Sequence, residues 1–291
     1  VNPYDTLITS HDFVEHVREN VPSTELLRIP IDPFDGENDP LEGNGNLPDI
    51  LLLFARMALC PDHTFQIVTA RPERMAEFLA NRNLPGSVQV WMHELDYPDR
   101  VPIADWFEKH PLTWPLPNVW LGVTVENQEQ ADARVPHLLR CPAAVRFLSC
   151  EPLLGDVDLT NVNTMRFTGA EVVDALSGEA KGMFGDPAGT VQCLHWLIVG
   201  GESGPRARPC DVAWVRSVVR QGEDAGVPVY VTRLGARAYE DHPPREKGGV
   251  TWRTFPTGNG LANRDPNGAD PDEWPADLRV RAFPEREGAG S

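Results

Sequence analysis

The sequence predicts an α/β protein of about six parallel strands, built as a partial (β/α) barrel, a closed barrel or an open doubly wound sheet, with an irregular acidic N-terminal segment and a Gly/Pro-rich C-terminal appendage. Three observations carry that prediction. Short apolar runs that suit strands alternate with amphipathic runs that suit helices. The run Trp196-Leu-Ile-Val-Gly200 is apolar throughout, as a strand buried on both faces is. At 291 residues the chain can bury a sizeable core.

The elements follow in order. Leu26–Ile31 is a weak first strand candidate. Pro48 to Cys60 reads as a helix, because Leu51, Leu52, Phe54, Ala55, Ala58 and Leu59 make one broad apolar face and Pro61 stops it. Phe65–Ala70 is a strand. The helix from Pro72 to Arg82 has Pro at its first turn and Glu73 early in it. Val119–Val125 and Val145–Cys150 are strands, with a helix from Gln128 to Arg140 between them. Asp211 can cap a helix that carries Val212, Val215, Val218 and Val219 on one face and ends at Gly226. Val227–Thr232 returns as the last strand.

Two stretches interrupt this rhythm. Residues 83–118 hold the short run Val88–Met92 and the Trp/Pro-rich Trp114-Pro-Leu-Pro117. Residues 160–195 are polar, have no clear period and read as an insertion. After Gly235 the rhythm is lost, and residues 235–291 hold 8 Gly and 7 Pro. The expected organisation is an acidic segment 1–46, a barrel 47–234 and an appendage 235–291.

Composition excludes several function classes. There are 26 basic and 43 acidic side chains, a formal charge of −17. Such a chain lacks the cationic surface that non-specific nucleic-acid or anionic-membrane binding needs. The basic residues are 23 Arg and only 3 Lys, none of the Lys in a strand-like run, so a Schiff-base barrel has no obvious nucleophile. No apolar run approaches the ~20 residues of a membrane span. The start at Val1 has no secretion signal and reads as a GTG-type start or a truncated frame, and a cytoplasmic location is expected. Cys60, Cys141, Cys150, Cys193 and Cys210 are too far apart for a Cys-x-x-Cys, so no metal site is signalled. Acidity is concentrated at the front: residues 1–50 carry 11 acidic and 2 basic side chains.

In parallel α/β folds, ligands sit at the C-terminal ends of the strands. Three strands place a carboxylate there: Glu126, Glu151 and Glu202. Gathered on one rim they repel, unless Arg71, Arg206, Arg208, Arg233, a cation or a cationic ligand compensates. These three Glu are the candidate catalytic or binding acids. The same strand ends offer Thr69, Arg71, Asn127, Gly200, Gly201, Ser203, Arg208 and Arg233 as candidate cofactor-binding residues. Read one at a time, each Glu is an ordinary rim ion pair or helix cap. Gly200-Gly201 serves either a tight turn or a ligand approaching backbone N–H groups. Cys150 is a nucleophile, a ligand or, more commonly for such a residue, a small buried hydrophobe. The Trp residues read as core and edge packing.

These segments also carry a resemblance. Phe65-Gln-Ile-Val-Thr-Ala-Arg-Pro-Glu-Arg-Met75, Trp114 to Asn127, Arg146-Phe-Leu-Ser-Cys-Glu-Pro-Leu-Leu-Gly155, Ile198-Val-Gly-Gly-Glu-Ser-Gly204 and Trp274-Pro-Ala-Asp-Leu-Arg-Val-Arg281 resemble an uncharacterised family of phage and bacterial proteins. Its complete members resemble radical S-adenosylmethionine proteins, with a three-cysteine [4Fe–4S] motif near the start of a partial barrel. The resemblance implies that S-adenosylmethionine is bound near Gly200, Gly201 and Glu202 or near Glu126 and Glu151. This chain departs from the pattern. It has no three-cysteine motif, Ala70 stands where the family has Lys, and Val231-Thr-Arg-Leu-Gly235 stands where it has Phe-Lys-Gln-Trp-Gly. A [4Fe–4S] cluster is therefore not expected on this chain.

Four functions compete. The first is a cluster-less barrel that binds a small-molecule or nucleoside-like ligand, or a partner protein. The second is an active radical enzyme whose cluster segment is missing, or whose Cys150 and Cys210 meet in space. The third is an acidic protein that occupies a basic groove of a host protein. The fourth is an acid–base enzyme using the three Glu.

Overall fold

The computed structural model describes residues 14, 17–18, 21–22, 26–29, 33–34, 47–95, 108, 111–164, 171–182, 187–240, 246–247, 250–251 and 265–285. The turn-rich acidic runs 31–40 and 43–46 lie outside them, apart from Pro33 and Phe34.

In chain order the elements are β1 (Leu26–Arg28), α1 (Leu47–Ala58), β2 (Thr64–Thr69), α2 (Pro72–Leu79), α3 (Leu84–Leu95), β3 (Val119–Thr124), α4 (Gln128–Arg140) and β4 (Val145–Cys150). Then come β5 (Val162–Asn163), β6 (Val172–Val173), β7 (Glu179–Lys181), β8 (Pro187–Thr190), β9 (Trp196–Gly200), β10 (Cys210–Asp211), α5 (Val212–Ala225), β11 (Val229–Arg233) and β12 (Ala238–Tyr239). Six strands form one parallel sheet in the order β1-β2-β3-β4-β9-β11, curled as a half-barrel. The expected fold class is therefore the observed one. Among the described residues no helix is long and apolar enough to cross a membrane.

The chain divides into two compact units, Val1–Gly122 with Arg140–Val145, and Val123–Leu139 with Arg146–Ser291. In the first, Phe54 of α1 packs on Phe78 of α2 at 5.9 Å and on Trp114 at 6.0 Å between ring centres. The buried Asn118 amide donates to the carbonyls of Met57, Cys60 and His63, so one side chain closes the C-terminal end of α1. The run Val88–Met92, set apart in the sequence as part of an interruption, lies inside α3. Its buried positions Leu84, Val88 and Met92 recur every four residues, a helical stripe that Pro85 and Gly86 disguise.

In the second unit, α5 begins and ends as its sequence predicts. The Asp211 carboxylate accepts from the Ala213 amide at 2.9 Å, and Gly226 takes a left-handed φ of 70° at the C-terminus. Val212, Val215, Val218 and Val219 are buried, each worth roughly 1.5–3 kcal/mol. Gly222 brings the helix down on the sheet: a Cβ there would collide with Val229 Cγ2 and lie 2.9 Å from the Val227 carbonyl. The other face of the sheet carries a ring cluster, with Phe147–Trp196 at 5.8 Å, Trp196–Tyr230 at 6.4 Å and Tyr230–Phe283 at 5.0 Å.

Two further stretches of this unit are more ordered than their sequences announce. Part of the insertion 160–195 forms a four-stranded antiparallel sheet, β5-β6-β7-β8. Its strands of two to four residues are too short to show a period. The stretch 280–282 runs antiparallel along β11: Val231 N donates to Val280 O and Ala282 N to Val229 O, both at 2.9 Å. The Trp196 indole adds a bond to Ala282 O. This segment covers the edge that β11 would otherwise expose.

Candidate functional site

The candidate site lies in the second unit, where β3, β4, β9 and β11 end. The turn after β4 ties these ends together. Leu153 N donates to Gly200 O at 2.8 Å, while Leu154 N and Gly155 N donate to Glu126 O at 2.8 and 3.1 Å. Leu153 is fully buried beneath the turn. Glu126, Glu151 and Gly200-Gly201-Glu202 are thus neighbours through the backbone itself, at one rim.

The rim's electrostatics centre on Arg208. Its backbone N and its Nε both donate to Glu202 Oε2, at 2.7 and 2.8 Å, and its Nη2 donates to Oε1 at 3.2 Å. The same Nη2 lies 3.5 Å from Glu126 Oε1. These bonds hold the Glu202 carboxyl below the usual carboxylate range and push the Arg208 guanidinium up. Glu126 is further held from α4, where Gln130 Nε2 donates to its Oε2 at 3.4 Å. Glu151 is held differently: its Oε1 accepts a hydrogen bond from the Thr232 hydroxyl, and no cation pairs with it among the described residues. Arg206 and Arg233 likewise form no ion pair there.

The remaining residues singled out in the sequence find definite places. Asn127 is a helix cap: its side-chain oxygen accepts from Gln130 N at 3.0 Å. Gly200 and Gly201 let the ends of β9 and β11 close on each other. A Cβ on Gly200 would collide with Thr232 Oγ1 and sit 3.3 Å from Glu151 Oε1. One on Gly201 would collide with Leu234 O and lie 2.9 Å from Gly235 Cα. The Gly201 amide donates to Arg233 O at 3.0 Å. Ser203 is exposed on the loop between Glu202 and Gly204. Gly204 N donates to Asn267 Oδ1 at 3.2 Å, and Leu234 N to Gly268 O at 2.9 Å, so the stretch 265–268 buttresses the rim. Thr69 and Arg71 belong to the first unit. There the buried Thr69 hydroxyl accepts from Arg71 N at 2.9 Å at the entry to α2.

Sequence reasoning missed Ser149. It is 1% exposed, and its hydroxyl has no hydrogen-bond partner among the described residues. The available signal was the alternation of β4, which puts Phe147, Ser149 and Glu151 on one face.

The thiols do not fit an iron–sulfur cluster. All five cysteines are free. Burial pushes the Cys60 thiol up to about 11, and the Cys150 and Cys210 thiols up to about 12. Among the described residues no three His, Cys, Asp or Glu side chains gather to hold a metal ion.

A family model described as "Protein of unknown function (DUF5131)" matches residues 46–260. Neither the curated proteins nor the solved structures gave a match.

Proposed function

The chain belongs to the DUF5131 family of proteins of unknown function, and from that premise we propose a cluster-less ligand-binding barrel of the radical S-adenosylmethionine type. In this reading the rim takes a small, cation-bearing, nucleoside-type ligand such as S-adenosylmethionine. The protein is phage-type and works in the host cytoplasm. One observation carries the reading: three carboxylates share the rim and, among the described residues, a single guanidinium, Arg208, pairs with any of them. The surplus negative charge favours a ligand with a sulfonium or ammonium centre. S-adenosylmethionine supplies such a centre together with a nucleoside. Glu151 would meet the cation, while Arg208 holds Glu126 and Glu202 at the rim. Because no three metal-ligating side chains gather among the described residues, no reductive step is assigned to this chain.

Equilibrium dialysis against S-adenosylmethionine tests the reading, with anaerobic iron and sulfide reconstitution alongside. Saturable binding without a cluster is expected. A stable [4Fe–4S] absorption band, or no binding at millimolar ligand, would overturn it.

A further inference from the structure

Glu151 and Ser149 stand apart from the rest of the rim. Glu126 and Glu202 are tied to Arg208, but among the described residues the half-buried Glu151 has only the neutral Thr232 hydroxyl. One step inward on the same face of β4, Ser149 is 1% exposed, and its hydroxyl has no hydrogen-bond partner among the described residues. The face is fixed from both ends. Phe147 packs against Trp196 with tilted rings 5.8 Å apart, and the Glu151 carboxylate lies over Gly200. An unsatisfied buried hydroxyl costs stability, and a chain that retains one at a strand end beside an unpaired carboxylate has a use for it.

We infer that Glu151 and Ser149 form the ligand's two-point subsite, Glu151 taking its sulfonium centre and Ser149 a hydrogen-bonding group deeper in the barrel. The inference rests on the binding reading above and names the contacts of that same site. Two residues along a strand span roughly 6.5–7 Å. The ligand therefore carries a polar group about that far from its positive charge, which matches a cation-bearing molecule of nucleoside size better than a simple ammonium ion. Glu126 and Glu202, already neutralised in part by Arg208, shape the rim and contribute less to recognition.

Three probes and three variants test this. The probes are S-adenosylmethionine, its neutral thioether S-adenosylhomocysteine, and trimethylsulfonium, which is too small to reach both points. The variants are Glu151→Gln, Ser149→Ala and Glu126→Gln. Dissociation constants come from calorimetry or ligand NMR, and melting temperatures are measured alongside. Glu151→Gln should weaken S-adenosylmethionine and trimethylsulfonium about tenfold or more and leave the thioether nearly unchanged. Ser149→Ala should weaken S-adenosylmethionine several-fold, spare trimethylsulfonium, and leave the melting temperature equal or higher, because an orphaned hydroxyl is removed. Glu126→Gln should change binding by less than threefold.

A Ser149→Ala protein that melts lower and binds all three probes as before would overturn the subsite and make the serine structural. Equal binding of S-adenosylmethionine and its thioether, unaffected by Glu151→Gln, would overturn the role of Glu151 and leave the binding reading standing. Glu151-dependent binding of trimethylsulfonium without binding of S-adenosylmethionine would support the cation contact and overturn that choice of ligand. If no probe binds, both fall.

Discussion

Substituting Gly200 by Ala tests how the rim is built. The added Cβ would collide with Thr232 Oγ1, 3.0 Å from Arg233 O and 3.3 Å from Glu151 Oε1. Carbonyl and carboxylate cannot both retreat, because Gly201 N binds Arg233 O and Thr232 binds the carboxylate. Overpacking of this kind costs about 1–3 kcal/mol. Replacing Gly by Ala in a strand returns about 0.5–1 kcal/mol of backbone entropy. The expected net loss is about 1–2 kcal/mol, read as a lower urea midpoint at unchanged slope in circular dichroism. Thr232→Ala alone should cost about 0.5–1.5 kcal/mol for its hydrogen bond. In the double variant the Oγ1 that Cβ strikes is gone, so the total should stay close to that of Thr232→Ala. The pair should therefore show a coupling of about 1–2 kcal/mol. A Gly200→Ala protein as stable as wild type, or strict additivity in the double variant, would refute the claim that Gly200 is required by close approach to β11.

Three further outcomes follow from the geometry. Gly222→Ala should destabilise by about 1–2 kcal/mol despite its better helix propensity, because Cβ would strike Val229 Cγ2, and thermal melts check this. Asp277, held below its ordinary range by its hydrogen bond from Arg216, adds stability that is complete above its unfolded value of about 4 and is lost as pH falls through its lower folded value. Arg216→Met should therefore flatten the acid limb of a stability–pH profile by no more than about 1 kcal/mol, since Asp277 is half exposed. In a thiol-reagent assay on native protein only Cys193 should react quickly, while Cys60, Cys141, Cys150 and Cys210 should wait for unfolding.

Much of this molecule is written locally. The helix over 212–225 could be read from Asp211, its four valines and Gly226, because caps and a 3.6-residue period involve only neighbours in sequence. The strands at 119–124, 145–150 and 196–200 were equally plain as apolar runs bounded by turn formers. The three Glu were legible as residues at strand ends, since a parallel sheet puts all such ends on one side. Where local signals were weak the reading failed. The helix 84–95 hid behind Pro85 and Gly86, and the 162–190 sheet behind strands too short to alternate.

What the sequence could not decide is which residues meet. It offered four Arg for the rim, and only the fold selected Arg208, 82 residues from Glu126. It gave Gly200 and Gly201 two uses, and only the approach of β11 assigned them to packing. Alternation could place Ser149 on the Glu151 face, but that its hydroxyl lacks a hydrogen-bond partner among the described residues shows only once β4, β9 and β11 are laid side by side. The physical reason is the same in each case. Periodicity, capping and turn chemistry act over a few residues and need no partner, so the order of elements survives in the one-dimensional pattern. Hydrogen bonds, ion pairs and unsatisfied groups depend on strand order and register to within a few tenths of an ångström, and those are set only when the whole sheet closes.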